Sequence, residues 1–303
     1  MPSSRHSDLG ISQNFLRSPA LVRRLVQRSA IGPDDLVVEI GPGKGIITEQ
    51  LAASCRQVLA IEKDPALALA LRRRLAPIEN VTLFAADVLD FPLPISPYKI
   101  FANIPFNATA AIITRLTSGG SAPDDTFVIV QAEAAARFLG QPRETLAALL
   151  LKPWFEPAIM HRFKRGDFMP APHVDVVMLR LKKRGPPLIS AHQRQAYRDF
   201  VTVVMTSWQP TVSAGLGRIE DQGTVRGLAH QTRLNLDQAP SRFPFSAWLA
   251  LFKAYLADRG PDRASSRLGG AEARLIEQQR RLQKVHRTRV ARRSRQQGQV
   301  RPK

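Results

Sequence analysis

The stretch that decides the fold is Leu36–Gly45, which reads LVVEIGPGKG. Its first five residues predict a short strand buried on both faces, because apolar side chains occupy both sets of alternating positions. The three glycines that follow predict a tight turn into a helix, where a backbone without side chains can approach a ligand. The G-x-G-x-G spacing also fits an ordinary tight turn and differs from that of dinucleotide sites. The meaning of the turn therefore depends on the segments around it.

Short apolar strands and helical segments alternate from about Leu36 to Leu181. Strands are predicted at 58–61, 81–84, 100–103, 126–131, 158–163 and 174–181. Helices are predicted at 46–53 and 65–75, and a further helix begins at Ser18-Pro19. This order predicts an α/β fold of the Rossmann-like kind, with a mostly parallel sheet covered by helices.

The pattern breaks at Lys182–Pro187, which reads KKRGPP and predicts a domain boundary. Residues 1–184 are predicted to form the α/β domain, and 188–258 a smaller all-helical domain. The aromatic side chains along 246–256, Trp248, Phe252 and Tyr255, are predicted to lie in the core of that domain. Residues 259–303 are predicted to be a basic tail that is disordered or folds only on a partner, because hydrophobic residues thin out after Gly260. A short helix over 272–285 stays open as an alternative.

The charge balance predicts a polyanionic partner. The chain has 44 basic and 25 acidic residues, a net charge of +19. Residues 259–303 contain 14 of the basic and 3 of the acidic residues, so most of the excess lies there. Neutralising phosphates releases counterions, which favours nucleic acid as the partner. A solvated basic surface and a membrane-surface role stay open as alternatives.

Other classes of protein are disfavoured by what the chain lacks. No apolar run reaches the ~20 residues that span a bilayer, and the first residues lack the apolar stretch of a secretory signal. The single cysteine, Cys55, has no internal disulfide partner and is predicted to be structural. We expect a cytoplasmic monomer with no membrane partner and no metal site.

Two acidic residues follow the next predicted strands. Glu62 ends the second strand, about twenty residues after the glycines, where a carboxylate accepts hydrogen bonds from ribose hydroxyls in folds of this kind. Asp87 follows the third strand and could accept a hydrogen bond from an adenine amine. Each acid alone is typical of a helix cap or a solvated surface. With Gly41 they mark three successive strand ends, the edge where open parallel sheets bind ligands.

The fourth strand runs into Asn103-Ile104-Pro105-Phe106, where the chemistry becomes specific. The loop has the acceptors that a site for methylating the N6 amine of adenine needs. That amine is a poor nucleophile because its lone pair is delocalised into the ring. The Asn103 side-chain oxygen and the Ile104 carbonyl could accept both N6 hydrogens and draw that lone pair out of conjugation. Pro105 would stiffen the loop, and Phe106 would stack on a base drawn out of its helix. The alternative is an edge turn with a buried Phe.

These motifs resemble the rRNA adenine N6-dimethyltransferases, which comprise the Erm macrolide-resistance enzymes and the KsgA ribosome-assembly enzymes. The resemblance covers about residues 11–258 and includes Ser12–Leu16, which is similar to the family's N-terminal cofactor-contacting motif. It implies a class I methyltransferase fold in which residues 1–184 are the catalytic domain that binds S-adenosyl-L-methionine and the helical residues 188–258 bind RNA. The implied cofactor-binding residues are Asn14, Leu16, Gly41, Glu62, Asp87 and Asn103. Phe168–Asp175 is similar to the family's F-x-P-x-P-x-V-D segment and is assigned no catalytic role.

Three features favour the Erm branch. Residues Val203–Gln209 replace the Arg-Lys-x-Leu-x-Asn-like stretch usual in KsgA enzymes, the loop reads Asn-Ile-Pro rather than Asn-Leu-Pro, and the chain has a basic tail. A departure from the family is Phe106, where Tyr is frequent, so that stacking survives without the hydroxyl. Similarity to Erm implies methylation of one adenine in the peptidyl-transferase loop of 23S rRNA, which blocks macrolide, lincosamide and streptogramin B antibiotics.

Three other functions stay open. A KsgA-type enzyme would use the same chemistry on small-subunit 16S rRNA. A non-catalytic rRNA-binding assembly factor would keep the fold, although it would have no reason to retain Gly41, Glu62, Asp87 and Asn103 together. A DNA adenine methyltransferase is disfavoured, because those enzymes usually have an acidic Asp-Pro-Pro-Tyr-like loop where this chain has the neutral Asn103.

Overall fold

The structure is a computed structural model that describes residues 14–118 and 121–281. This part of the chain forms two compact units. The first comprises residues up to 142 together with 151–187, and the second comprises 143–150 together with the residues from 188 onward.

The first unit is built around a seven-stranded sheet in the order β4-β3-β2-β5-β6-β9-β7. Its strands are Phe15–Leu16 (β1), Leu36–Ile40 (β2), Gln57–Glu62 (β3), Val81–Ala85 (β4), Lys99–Asn103 (β5), Asp125–Gln131 (β6), Phe155–Arg162 (β7), Phe168–Met169 (β8) and Val176–Lys183 (β9). The strands β2 to β6 run parallel, and β9 is antiparallel to β6 and β7. The predicted mostly parallel sheet is confirmed.

Helices alternate with these strands. They are Pro19–Arg28 (α1), Ile46–Ala52 (α2), Pro65–Leu75 (α3), Thr109–Ser118 (α4) and Ala132–Leu139 (α5). The next helix, Leu146–Leu151 (α6), belongs to the second unit except for its last residue. Helix α1 forms because its apolar side chains recur at helical spacing, and Ser18 caps it by accepting a hydrogen bond from the Leu21 amide. Helix α3 is capped in the same way by Asp64. The buried faces of α1 and α2 join strand side chains such as Val37 and Phe101 in one hydrophobic core.

The second unit is helical in its described residues. Its further helices are Arg194–Met205 (α7), Val212–Leu216 (α8), Gln222–Thr232 (α9), Phe245–Arg259 (α10) and Pro261–Leu268 (α11), and residues 271–281 are also helical. Trp248, Phe252 and Tyr255 are fully buried on α10 and meet Phe200 of α7. The prediction that these aromatic residues form the core is confirmed.

The predicted disorder from residue 259 onward is wrong for residues 261–281. Ala264 and Leu268 are buried, so this segment contributes to the core of the second unit. Glu272 forms an ion pair with Arg198, and its backbone amide donates to the Asp199 carboxylate at 2.8 Å. These contacts join positions more than seventy residues apart, which local composition cannot reveal. The remainder of the predicted tail, 282–303, lies outside the described residues.

Residues 143–150 also depart from the predicted domains, since they belong to the second unit rather than to residues 1–184. The Tyr197 hydroxyl donates to the Leu149 carbonyl at 3.0 Å, and the Glu144 amide donates to the Ser241 carbonyl at 2.8 Å. The segment therefore crosses from one unit to the other and back.

Among the residues that the structure describes, no helix has the length and apolar character that a membrane crossing requires.

Candidate active site

The glycine turn after β2 lies against two other segments. Gly41 has a φ of +71°, and a β-carbon there would lie 3.2 Å from the Asn103 carbonyl oxygen. Gly43 has a φ of +56°, and a β-carbon there would lie 2.6 Å from the Phe15 ring. Both the left-handed backbone and the close packing require residues without a side chain. The turn therefore brings β1 and the end of β5 to one place.

Glu62 holds this turn from the end of β3. Its side chain is 3% exposed, and its Oε2 accepts a hydrogen bond from the Gly43 amide at 3.1 Å. Its Oε1 accepts a second bond from the Asp64 amide at 2.9 Å. Each carboxylate oxygen has two lone pairs, so Glu62 keeps acceptor capacity for a ligand hydroxyl while its orientation is fixed by backbone donors.

Asp87 follows β4 and is held by two contacts. The Lys63 ammonium lies 2.8 Å from its Oδ2, and the Leu89 amide donates to its Oδ1 at 3.0 Å. The hydrogen bond from Lys63, with that from Leu89, holds the pKa of the Asp87 carboxyl below its ordinary value. Asp87 is therefore an ionised hydrogen-bond acceptor.

Asn103 ends β5, and its amide orientation is determined by one neighbour. The Nδ2 group donates to the Asn14 carbonyl oxygen at 2.9 Å. Because a carbonyl can only accept, the amino group must face Asn14, and the Asn103 Oδ1 atom is left as the free end of the amide. Within the described residues, Oδ1 accepts no hydrogen bond. It remains available to a donor on a ligand.

The loop after Asn103 is short and firmly held. Ile104 is buried, and the Pro105 carbonyl accepts a hydrogen bond from the Ala108 amide at 2.9 Å as a 3₁₀ turn begins at Phe106. The Ile104 carbonyl has no backbone donor in the part of the chain described. Phe106 is half-buried and packs at the edge of the hydrophobic core, so one part of its ring stays accessible.

The N-terminal segment is anchored by a two-residue strand pair that the sequence did not predict. β1 pairs antiparallel with β8, with Phe15 opposite Met169 and Leu16 opposite Phe168. The Arg17 amide donates to the Asp167 carbonyl at 3.0 Å beside this pair. Strands of two residues are too short to show an alternating pattern. The Phe168–Asp175 segment thus has a structural role, because its first residues hold Asn14 next to Asn103.

All of the predicted site residues line one cavity of about 340 Å³. They are Asn14, Leu16, Gly41, Glu62, Asp87, Asn103, Ile104, Pro105 and Phe106. The volume lies within the roughly 300–1,000 Å³ usual for small-molecule sites. The cavity also has apolar walls from Ile40, Val88 and Ile112, which the sequence reasoning did not single out. Apolar walls with acidic and amide acceptors at the strand ends suit a nucleoside with ribose hydroxyls and an amine.

Glu39 is a second buried acid beside this site, one that does not line the cavity. Neither oxygen of its carboxyl has a hydrogen-bond partner among the described residues. Burial raises the pKa of Glu39 to about 8, and the charge of Glu62 adds to this rise. Glu39 is therefore largely neutral at pH 7.

Comparison with known proteins identifies the family of the chain. The family model described as ribosomal RNA adenine dimethylase matches residues 5–256. An rRNA adenine N-6-methyltransferase of Aeromicrobium erythreum is 30% identical over 251 residues, which cover 82% of this chain and 74% of that protein. Ribosomal RNA small subunit methyltransferase A of Moorella thermoacetica is 32% identical over 223 residues, which cover 68% and 77%.

Solved structures with the same fold include the crystal structure of the 23S rRNA methyltransferase ErmE. It is 28% identical, has a TM-score of 0.72, and the match covers 80% of this chain and 99% of that one. A dimethyladenosine transferase from Plasmodium falciparum, 20% identical with a TM-score of 0.61 over 80% and 87% of the two chains, shares the fold. The chain belongs to the ribosomal RNA adenine dimethylase family and is an S-adenosylmethionine-dependent rRNA adenine N6-methyltransferase.

Proposed function

We propose that this enzyme methylates the N6 amine of one adenine in 23S rRNA and thereby confers resistance to macrolide, lincosamide and streptogramin B antibiotics. The choice of 23S rRNA is supported by the similarity to ErmE over nearly the full length of that structure. The Asn-Ile-Pro loop and the basic C-terminal residues support the same branch. An rRNA substrate also makes the cytoplasm its place of action.

The roles of the cofactor-binding residues follow from their contacts. Bound S-adenosylmethionine supplies an electrophilic methyl group on its sulfonium. Glu62 accepts the ribose hydroxyls, since two backbone amides already fix its carboxylate. Asp87 accepts from the adenine amine of the cofactor, and its lowered pKa keeps it ionised for this role. Asn14, Leu16 and Gly41 also line the cavity and complete the proposed cofactor site.

The free Oδ1 atom of Asn103 is the observation that carries the proposed chemistry. Oδ1 and the Ile104 carbonyl accept the two N6 hydrogens of the target adenine, which turns the nitrogen lone pair toward the methyl donor. Attack of N6 on the methyl carbon would break the carbon–sulfur bond and leave S-adenosylhomocysteine. The methylated nitrogen would then be cationic and acidic enough to release its proton to water, so no strong base is needed beforehand. The rate comes from positioning and electrostatics.

Phe106 holds the target base. Its ring is only partly covered by the core, and Pro105 with the following 3₁₀ turn limits its movement. A base drawn out of its helix stacks on this ring, and the energy of stacking offsets part of the cost of unpairing it. A hydroxyl on the ring is not required for this role.

A second candidate is methylation of small-subunit 16S rRNA. The relative from Moorella thermoacetica supports it, because its 32% identity is no lower than that of the Aeromicrobium protein. The chemistry at Asn103 would be the same for both RNAs, so the cavity does not discriminate between them.

The experiment that separates these functions uses the purified full chain with radiolabelled S-adenosylmethionine. Large-subunit and small-subunit rRNA are incubated separately, and the modified base is mapped by reverse-transcription stops. We expect label at one adenine of large-subunit rRNA. Label in small-subunit rRNA alone would overturn the proposed target. Cells expressing the chain should show raised resistance to erythromycin, and expression of Asn103→Ala should not raise it.

A further inference from the structure

Trp208 is the most exposed large apolar side chain among the described residues. It lies between α7 and α8 and is 97% exposed. The chain has three tryptophans, and the other two, Trp154 and Trp248, are 9% and 0% exposed. In the described part of the chain its indole ring makes no aromatic or cation–π contact. Tryptophan side chains are highly buried on average in folded proteins, so a ring this open to water is unusual.

The backbone holds this side chain outward. Trp208 has a φ of +58°, a left-handed conformation that costs a bulky residue roughly 1–2 kcal/mol. The flanking residues are tied down, since the Ser207 hydroxyl donates to the Val204 carbonyl at 2.8 Å and the Gln209 amide donates back to Ser207 Oγ at 3.4 Å. The Thr211 side chain then caps α8 by accepting from the Ala214 amide. The exposed ring therefore lies on a short turn whose flanking residues are held by hydrogen bonds.

The other aromatic side chains around α7 are used for packing. Phe200 and Trp248 lie edge to face in the core, and Phe243 packs on Trp248 in the same way. Trp208 buries no comparable surface and contributes nothing to this core. The cost of the positive φ at Trp208 is therefore not offset by packing within the unit. Strained residues of this kind cluster at functional sites.

We propose that Trp208 is an RNA-binding residue that stacks on an unpaired base of the rRNA substrate. Charge complementarity favours RNA as the occupant. Over residues 143–150 and 188–281 the second unit contains 14 Lys and Arg against 9 Asp and Glu, a net charge of +5. Residues 282–303 add 8 basic residues and no acidic ones. An exposed aromatic ring on a unit with excess positive charge suits single-stranded nucleic acid, which is bound through phosphate contacts and base stacking.

The inference rests on the proposed function only for the choice of RNA. Affinity is measured with the full chain, the cofactor product S-adenosylhomocysteine, and labelled large-subunit and small-subunit rRNA in parallel. Trp208→Gly removes the ring and suits the left-handed backbone. We expect it to weaken RNA binding by roughly 5- to 150-fold, the range for loss of one base-aromatic stack. Trp208→Phe should stay within about threefold of the parent, and Trp208→Leu should resemble Trp208→Gly, because stacking requires a π face.

Two readouts separate this role from a structural one. The melting temperature of Trp208→Gly should not fall, since the ring buries nothing and glycine relieves the positive φ. Tryptophan emission should be partly open to acrylamide quenching, and saturating RNA should reduce both the emission and its accessibility. That change should be absent in Trp208→Phe, which retains Trp154 and Trp248.

The outcomes for the two proposals are distinct. If small-subunit rRNA is the RNA methylated, and its binding depends on Trp208, the proposed 23S target fails while the role of Trp208 stands. If Trp208→Gly binds both RNAs as tightly as the parent and RNA leaves the emission unchanged, the stacking role is overturned. In that case a protein partner would become the explanation for the exposed ring.

Discussion

The Asn103 side-chain amide donates to the Asn14 carbonyl at 2.9 Å and links residues 89 positions apart in the chain. Asn14 precedes the short strand β1, and Asn103 ends β5 at the loop proposed to hold the target adenine. The Asn103 side chain thus links the N-terminal segment to that loop. Because its Nδ2 group faces Asn14, its Oδ1 atom is left without a partner among the described residues. Asn103 therefore combines a structural contact with a proposed role in binding the target adenine.

Asn103→Ala should abolish methyl transfer while leaving cofactor binding measurable. It removes the proposed acceptor for the N6 hydrogens and one neutral hydrogen bond to Asn14, which contributes about 0.5–1.5 kcal/mol. The Kd for S-adenosylmethionine should therefore rise about 2- to 13-fold by calorimetry. Asn80→Ala is the matched control, since the Asn80 amide bonds the Ala52 and Cys55 carbonyls away from the cavity. It should lower stability without changing that Kd. A fully active Asn103→Ala would mean that the active site lies elsewhere.

Gly43→Ala should impair cofactor binding and stability together. The new methyl group would lie 2.6 Å from the Phe15 ring, and the residue has a φ of +56°. The strain should cost at least roughly 1–2 kcal/mol of unfolding free energy, and displacement of Phe15 should disturb the β1–β8 pair. Gly166→Ala is the control, because a methyl group there meets no atom within 4 Å among the described residues. Denaturant melts and cofactor titration of both variants check this, and equal behaviour of the two would contradict it.

The buried carboxyl of Glu39 should lower the free energy of unfolding as pH rises. Its pKa is raised from 4.5 to about 8 in the folded chain, so below pH 4.5 the carboxyl is protonated in both states and carries no penalty. Between about pH 4.5 and 8 the unfolded chain releases the proton that the folded chain keeps. The free energy of unfolding therefore declines by at most about 1.4 kcal/mol per pH unit between these two pH values. Glu39→Gln should remove this dependence, so that its stability relative to the parent improves from pH 5.5 to 7.5 in urea titrations. A constant difference would show that Glu39 ionises normally.

Two truncations should behave differently. A chain ending at residue 281 should fold as the parent does, yet bind rRNA with a shallower salt dependence, since it lacks 8 basic residues. A chain ending at residue 260 also loses the buried Leu268 and the Glu272 partner of Arg198. Leaving Arg198 unpaired should cost roughly 3 kcal/mol or more. Thermal melts and RNA titrations at several salt concentrations distinguish the two, and equal melting temperatures would mean that residues 261–281 contribute no stability.

The sequence by itself determined the parallel sheet and the positions of Gly41, Glu62, Asp87 and Asn103. Apolar runs such as Leu36–Ile40 specify buried strands locally, and the carboxyl ends of parallel strands meet at one edge of a sheet. Residues at successive strand ends therefore come together without any knowledge of long-range contacts. Their place around one cavity follows from that topology.

Only the tertiary structure decided the pairing of β1 with β8, the free end of the Asn103 amide and the folding of residues 261–281. Each depends on contacts between residues far apart in the chain, such as the ion pair of Glu272 with Arg198. Local periodicity in the sequence does not predict such contacts. The raised pKa of Glu39 has the same origin, because complete burial and the nearby charge of Glu62 are properties of the packed core. The exposure of Trp208 is likewise a tertiary property, since Trp248 on α10, the same residue type, is completely buried.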